Sequence, residues 1–246
     1  MWIDVITIFP EMFPAGVGVS ILKRAQQERR LRINIHNLRD YTHDARRTID
    51  DRPYGGGPGM VMKPEPIFEA VEAIRRASGH AAIPPHAGEC LQVSPGRCHT
   101  ILMSPQGERL SSTLAQQLAA TAEHLIIICG HYEGVDERVR SALVSRAISI
   151  GDYILTGGEL PAMVLIDCLA RFLPGVIGHA QATQEESFTR GWLEYPQYTR
   201  PPVFRRMAVP QELLSGDHER IACWRRLQAV TRTLASRPDL AEVKSS

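Results

Sequence analysis

Residues Leu125–Cys129 read Leu-Ile-Ile-Ile-Cys, an apolar run with no polar position to turn toward water. A strand with one wet face alternates polar and apolar residues, so an unbroken run needs cover on both faces. That requirement places 125–129 at the middle of a sheet sandwiched by helices. The flanking sequence supplies the layers. Residues 2–9 alternate and stop at Pro10, which predicts a strand. Ser20 is expected to cap a helix reaching Arg30, followed by a strand over 31–38. Pro64 and Glu65 suit the first turn of a helix ending near Ala77. A strand at 100–103, a helix at 112–123, a helix near 137–144, a strand at 147–150 and a helix at 160–172 complete the alternation. Strands and helices in this order predict an α/β domain with a mainly parallel sheet over residues 1–173.

Beyond 173 the periodicity stops. Residues 174–202 mix Pro, Gly, polar and acidic side chains and read as a flexible interdomain linker or lid. Residues 203–246 read as a small all-α domain, with Ile221, Trp224, Leu227 and Val230 at helical spacing. A second irregular stretch, 78–99, carries His80, His86, Cys90, Cys98 and His99. Their spacing matches none of the usual zinc patterns, so an insertion loop is expected there, and no metal ligand is assigned.

Composition narrows the class. Hydrophobic residues make up 43% and charged residues 22%, which excludes wholesale disorder. No apolar run approaches the ~20 residues that span a bilayer, and the first residues lack the basic start and cleavage site of a signal peptide. Five cysteines with no Cys-x-x-Cys argue against a disulfide framework. The expectation is a reduced, cytoplasmic protein without a membrane partner. Net charge is +1, yet Lys23, Lys63 and Lys244 are the only lysines among 28 cations. Arginine of this abundance suits phosphates and base edges, and equally reflects a coding bias.

The common nucleotide and hydrolase fingerprints are missing: no Walker loop, no Gly-x-Gly-x-x-Gly after a strand, no His-Glu-x-x-His and no Gly-x-Ser-x-Gly. The run Gly55-Gly56-Gly57-Pro58-Gly59 reads either as a tight loop needing positive φ or as a ligand-contacting loop. Three segments each follow a predicted strand: 104–107, 130–134 and 151–158, all bearing glycine. In an open parallel sheet, ligands bind outside the carboxyl ends of the strands. Three glycine turns there describe one concave site lined by main-chain groups, suited to an adenine edge and a ribose.

Arg171 ends an apolar helix, Glu185 and Glu186 stand in the linker, and the tail adds Arg200, Arg205, Arg206, Arg220, Arg225, Arg226, Arg232 and Arg237. With Trp192, Tyr195, Tyr198 and Trp224 nearby, the tail reads as an RNA footprint of cations and stacking rings, or as a solvated helical face. From pattern alone the chain is an α/β enzyme with a backbone-lined site, an acidic lid and a basic tail; the reaction stays open.

Longer motifs close that gap. IFPEMF at 8–13, DDRPYGGGPGM at 50–60, SPQG at 104–107, YEGVDER at 132–138, SIGDYILTGGELPA at 149–162, ARFLPGV at 170–176, YPQYTRP at 195–201 and SGDHERIACWR at 215–225 cover nearly the whole chain. Together they make it resemble the bacterial tRNA (guanine-N1)-methyltransferases of the trefoil-knotted SPOUT class. The resemblance implies methyl transfer from S-adenosylmethionine to N1 of guanine-37 in tRNA, next to the anticodon. It implies a deep C-terminal trefoil knot in the α/β domain and a homodimer with shared active sites. It also implies grip on the anticodon arm by the helical domain, and allows a Mg2+ requirement without indicating a site.

Carried over by that resemblance, Gly130 and Ile150, Gly151, Asp152, Tyr153, Ile154 and Leu155 would hold the methyl donor. Ser104, Pro105 and Glu133 would line its pocket. Glu186, before Ser187-Phe188, stands where the family has its general base, usually Asp; Glu185 is the neighbouring candidate. Arg171 matches the catalytic arginine that steadies charge on guanine O6. His131 stands where relatives often have Arg. The linker is expected to order over a flipped guanine when tRNA binds. The rival readings are another knotted RNA methyltransferase, or a non-catalytic RNA-binding protein that kept the fold.

Overall fold

The computed structural model describes residues 1–80, 98–178, 186–189 and 191–242. Its contacts divide the chain into two compact units, Met1–Gly178 and His179–Ser246.

The first unit is built on five strands: β1 (Trp2–Thr7), β2 (Arg32–Asn37), β5 (Cys98–Arg109), β6 (His124–Cys129) and β7 (Arg146–Ser149). They lie in the order β2-β1-β6-β5-β7, and every neighbouring pair is parallel. The apolar run is therefore the central strand. Leu125, Ile127 and Cys129 enter one core with residues of α1 (Phe13–Val17), α2 (Ser20–Gln27), α4 (Ser112–Thr121) and α6 (Glu159–Ala170). Ile126 and Ile128 enter the other core, with α3 (Pro64–Ala77) and α5 (Glu137–Leu143). Strand alternation sends successive side chains to opposite faces, and both faces are covered.

Local chemistry fixes most boundaries. Ser111 accepts the Leu114 N–H and Asp136 accepts the Arg138 N–H, capping α4 and α5. Helix α3 begins at Pro64 and ends at Gly79, whose φ of +72° lets the His80 N–H reach the Arg75 carbonyl. Two expectations are corrected. Ser20 does not cap α2: Val19 holds the cap position without a side-chain bond, and Ser20 is the first helical residue. Strand β5 runs on to Arg109, because the chain leaves β7 after Met103 and rejoins it at Glu108, both residues pairing with Ile148. The 104–107 segment is thus an excursion inside one extended strand.

Two further two-residue strands, β3 (Asp50–Asp51) and β4 (Val61–Met62), pair antiparallel and carry the glycine-rich loop between them. That loop needs positive φ at Gly55, Gly56, Gly57 and Gly59.

The second unit centres on α8 (His218–Ser236), with α7 (Gln211–Leu214) and α9 (Asp239–Glu242) beside it. It is not all-α: β8 (Val203–Phe204) and β9 (Met207–Ala208) form a short antiparallel pair. On α8, Ile221, Trp224 and Val230 are partly buried, whereas Leu227 is exposed.

The segment read as a linker is anchored at both ends. Val176 is buried in the first unit, where Arg24 donates to its carbonyl and Arg30 donates to that of Pro174. In the second unit the Leu193 N–H donates to Thr233 Oγ1 on α8, and the Glu194 N–H donates to Ser187 Oγ. Glu185 and the central part of the 78–99 stretch, with His86 and Cys90, lie outside the described residues.

Candidate functional site

The excursion within β5 and the carboxyl ends of β6 and β7 open into a cavity of about 440 Å³. That is within the range of sites for small organic ligands. Its walls are the three glycine-bearing segments read from the sequence. Of the expected donor-binding residues, Ser104, Pro105, Gly130, Glu133, Ile150, Gly151, Tyr153, Ile154 and Leu155 line it; Asp152 does not. Gln106, Thr156, Gly157 and Gly158 are among the further wall residues and carry no individual signal beyond their motifs.

The walls hold together through backbone approach. A Cβ on Gly107 would sit 2.4 Å from the Ala147 carbonyl carbon and the Ile148 nitrogen of β7. A Cβ on Gly158 would sit 2.8 Å from Cys129 Cα and 2.9 Å from the Gly130 nitrogen. Glycine is the only residue that permits these contacts. They are fastened by the Gly158 N–H donating to the Gly130 carbonyl at 2.8 Å and by a bridge between His131 and Gly157. The third wall is tied to the glycine-rich loop: the Glu133 N–H donates to Met60, and the Met62 N–H donates to Gly134. Gly59 of this run therefore meets the cavity wall at Glu133, while Gly55, Gly56 and Gly57 stand clear and Tyr54 is fully exposed.

Beneath the 130–131 and 157–158 crossing lies a buried polar cluster. Thr7 Oγ donates to Glu159 Oε1 at 2.7 Å, and His131 Nε2 lies 3.4 Å from Glu159 Oε2. Glu159 is the first residue of α6, where the helix dipole favours its charge. Burial pushes the neighbouring Cys129 thiol well above its ordinary range, with the Glu159 charge adding to it. His131, read as a departure from the family pattern, thus serves as a partner for a buried carboxylate. Glu159 itself escaped the sequence reading, because its hydrogen-bond partner Thr7 is 152 residues away.

The two catalytic candidates stand elsewhere. Arg171 caps the C-terminal end of α6. Twelve residues of helix separate it from Gly158, a length of about 18 Å. Glu186 belongs to the second unit, where it borders a cavity of about 460 Å³ with Trp192, Tyr195, His218, Arg225 and Arg226. There the Arg225 guanidinium stacks 4.8 Å from the Tyr195 ring centre, and Tyr198 meets Trp224 edge-on at 6.2 Å. Arginine on aromatic faces beside a groove is the chemistry used for unstacked bases and phosphates.

Known proteins resemble this chain along nearly its whole length. The family described as tRNA (Guanine-1)-methyltransferase TrmD matches residues 1–243. Similar curated proteins carry the name tRNA (guanine-N(1)-)-methyltransferase. One from Moorella thermoacetica is 56% identical over 98% of this chain and 90% of its own. One from Dictyoglomus turgidum is 51% identical over 99% and 91%. One from Staphylococcus haemolyticus is 48% identical over 98% and 91%.

Proposed function

The chain belongs to the tRNA (guanine-1)-methyltransferase family, and on that premise we propose that it methylates N1 of guanine-37 in tRNA with S-adenosylmethionine as donor. The observation that carries the reading is the cavity at the excursion within β5 and the carboxyl ends of β6 and β7, walled by main chain from three glycine-bearing segments. Its volume and its mixture of backbone edges with Ile150, Ile154 and Leu155 suit a nucleoside with an aliphatic extension. When bound, S-adenosylmethionine supplies an electrophilic methyl group.

Guanine N1 is protonated and poorly nucleophilic, so a base must take its proton as the new N–C bond forms and the C–S bond breaks. Glu186 is assigned that role. Arg171 steadies the charge that moves onto O6. Because Arg171 sits a helix length from its own chain's cavity, the site is completed by a second copy. The apolar face of α6 supports a homodimer: Leu160 is 50% and Val164 46% exposed, one turn apart on a helix whose other faces are buried.

The backbone-to-backbone crossing of 157–158 over 129–130 supports a threaded, trefoil-knotted C-terminal part. The Arg225–Tyr195 groove and the surrounding arginines take the anticodon arm. The enzyme then works in the cytoplasm, and Mg2+ enters this reading without assigned protein ligands.

The test is single-turnover transfer of labelled methyl to unmodified tRNA bearing guanine-37. Wild type is expected to give N1-methylguanine and Glu186→Gln a loss of at least about 100-fold, as expected for a general base. Equal rates would move the base elsewhere. Absence of product despite donor binding would favour another RNA substrate or a non-catalytic role.

A further inference from the structure

At the amino ends of β5 and β6, the pole of the sheet opposite the cavity, three ligand-type side chains converge. His124 and Cys98 are the first residues of their strands and are direct register partners. His80 follows the Gly79 turn that ends α3, so the chain reversal there delivers it to the same spot. His124 Nδ1 lies 3.0 Å from His80 Nε2 and 3.7 Å from Cys98 Sγ, and the three ligand atoms lie within 4.8 Å of one another. Zinc bonds of about 2.0–2.1 Å to nitrogen and 2.3 Å to sulfur set tetrahedral edges of about 3.3 Å for N···N and 3.6 Å for N···S. The two His124 edges differ from these by a few tenths of an ångström, and the His80–Cys98 edge, within 4.8 Å, closes onto the metal by a movement of at most about 1.2 Å.

A second observation concerns the other nitrogen of His124. Its Nε2 is 2.6 Å from Asp4 Oδ2, with Asp4 3% and His124 2% exposed. The Asp4 carboxylate is fixed in turn by His36 at 2.7 Å and Asn34 at 2.8 Å. A carboxylate behind the distal nitrogen is how proteins orient a metal-binding imidazole and raise its basicity. Here it directs Nδ1 at His80 and Cys98.

We propose that His80 Nε2, Cys98 Sγ and His124 Nδ1 bind a divalent cation of the zinc class, with Asp4 as the positioning residue behind His124. Imidazole with thiolate selects such borderline-soft ions over Mg2+ or Ca2+. Water would supply the fourth ligand. The ion would pin the end of α3 to the starts of β5 and β6, across the 81–97 segment. The sequence spacing matches no zinc pattern because one ligand comes from a strand remote in the chain.

The test uses full-length protein stripped with a chelator, in a Cys223→Ser background that removes the exposed thiol. Titration with Zn2+ is expected to give one equivalent per chain with Kd below about 1 μM, and a raised Tm. Co2+ should give tetrahedral visible bands and a thiolate-to-cobalt charge-transfer band. Cys98→Ser should abolish the charge-transfer band, and His80→Ala should weaken Zn2+ at least about tenfold. Asp4→Asn should weaken it by about 10–100-fold. Cys98 begins β5 and His80 follows the end of α3, both partly exposed, and the metal-free Tm of each variant reports whether it folds. Failure of the wild type to bind one equivalent would overturn the proposal, leaving a histidine hydrogen-bond chain. So would a charge-transfer band that survives Cys98→Ser, or unchanged affinity in His80→Ala.

Discussion

Replacing Gly158 with alanine tests whether backbone contact between two loops builds the cavity proposed for the donor. Gly158 has φ −83° and ψ −3°, which alanine adopts without strain. At the N-cap of α6 alanine is itself less favourable than glycine, by about 1 kcal/mol or less. The larger obstacle is space: the new Cβ would meet Cys129 Cα at 2.8 Å, the Gly130 nitrogen at 2.9 Å and the Cys129 carbonyl carbon at 3.2 Å. All three are main-chain atoms of the central strand's end, and no side chain can swing away. The 157–158 segment must therefore lift from 129–130, straining the 2.8 Å hydrogen bond from Gly158 to Gly130.

Overpacking of this kind costs about 1–3 kcal/mol. Because both displaced segments are cavity walls, most of that cost should appear in the liganded state. Isothermal titration of S-adenosylmethionine should show affinity lowered by about 10-fold or more. Urea unfolding should show a lower midpoint. Gly178→Ala is the control, since nothing lies within 4 Å of its added Cβ. Gly158→Ala with donor affinity within twofold of wild type and an unchanged midpoint would refute the reasoning.

Other outcomes follow from particular contacts. Asp136→Ala should lose the cap of α5 at a cost of about 1 kcal/mol, read by urea unfolding. The Arg138 guanidinium holds the Asp136 carboxyl below its ordinary value, so its contribution is present above about pH 4 and disappears as pH falls through the lowered pKa. The difference between wild type and Asp136→Ala should shrink accordingly in acid. Val164→Glu should break the proposed dimer into monomers in sedimentation and abolish methyl transfer while leaving the chain folded. Affinity for tRNA should fall steeply with salt and be weakened by Arg225→Ala, measured by filter binding. Thiol labelling at pH 8 should modify exposed Cys223 rapidly and leave buried Cys129 untouched in the folded protein.

The sequence by itself determined what depends on neighbours within a few residues. Leu125–Cys129 announced a strand covered on both faces, since side-chain alternation is a local property. Pro64 at the start of α3 was legible for the same reason, whereas the Asp136 cap of α5 was seen only in the structure. The three glycine-bearing segments were readable as strand-end loops, and the motif resemblance then attached a chemistry to them. Tertiary structure decided what depends on chain segments meeting across long separations. It made 104–107 an excursion within β5, because β7 offers the same residue as partner on both sides. It placed Gly59 against the cavity wall through β4, two residues too short to carry a periodic signal. It joined Thr7 to Glu159, and it brought His80 and Cys98 to His124 and Asp4. Each of those pairings is set by parallel register and crossover packing, which no window of sequence contains. A one-residue slip in register would turn the strand residues among them, Asp4, Thr7, Cys98 and His124, to the opposite face.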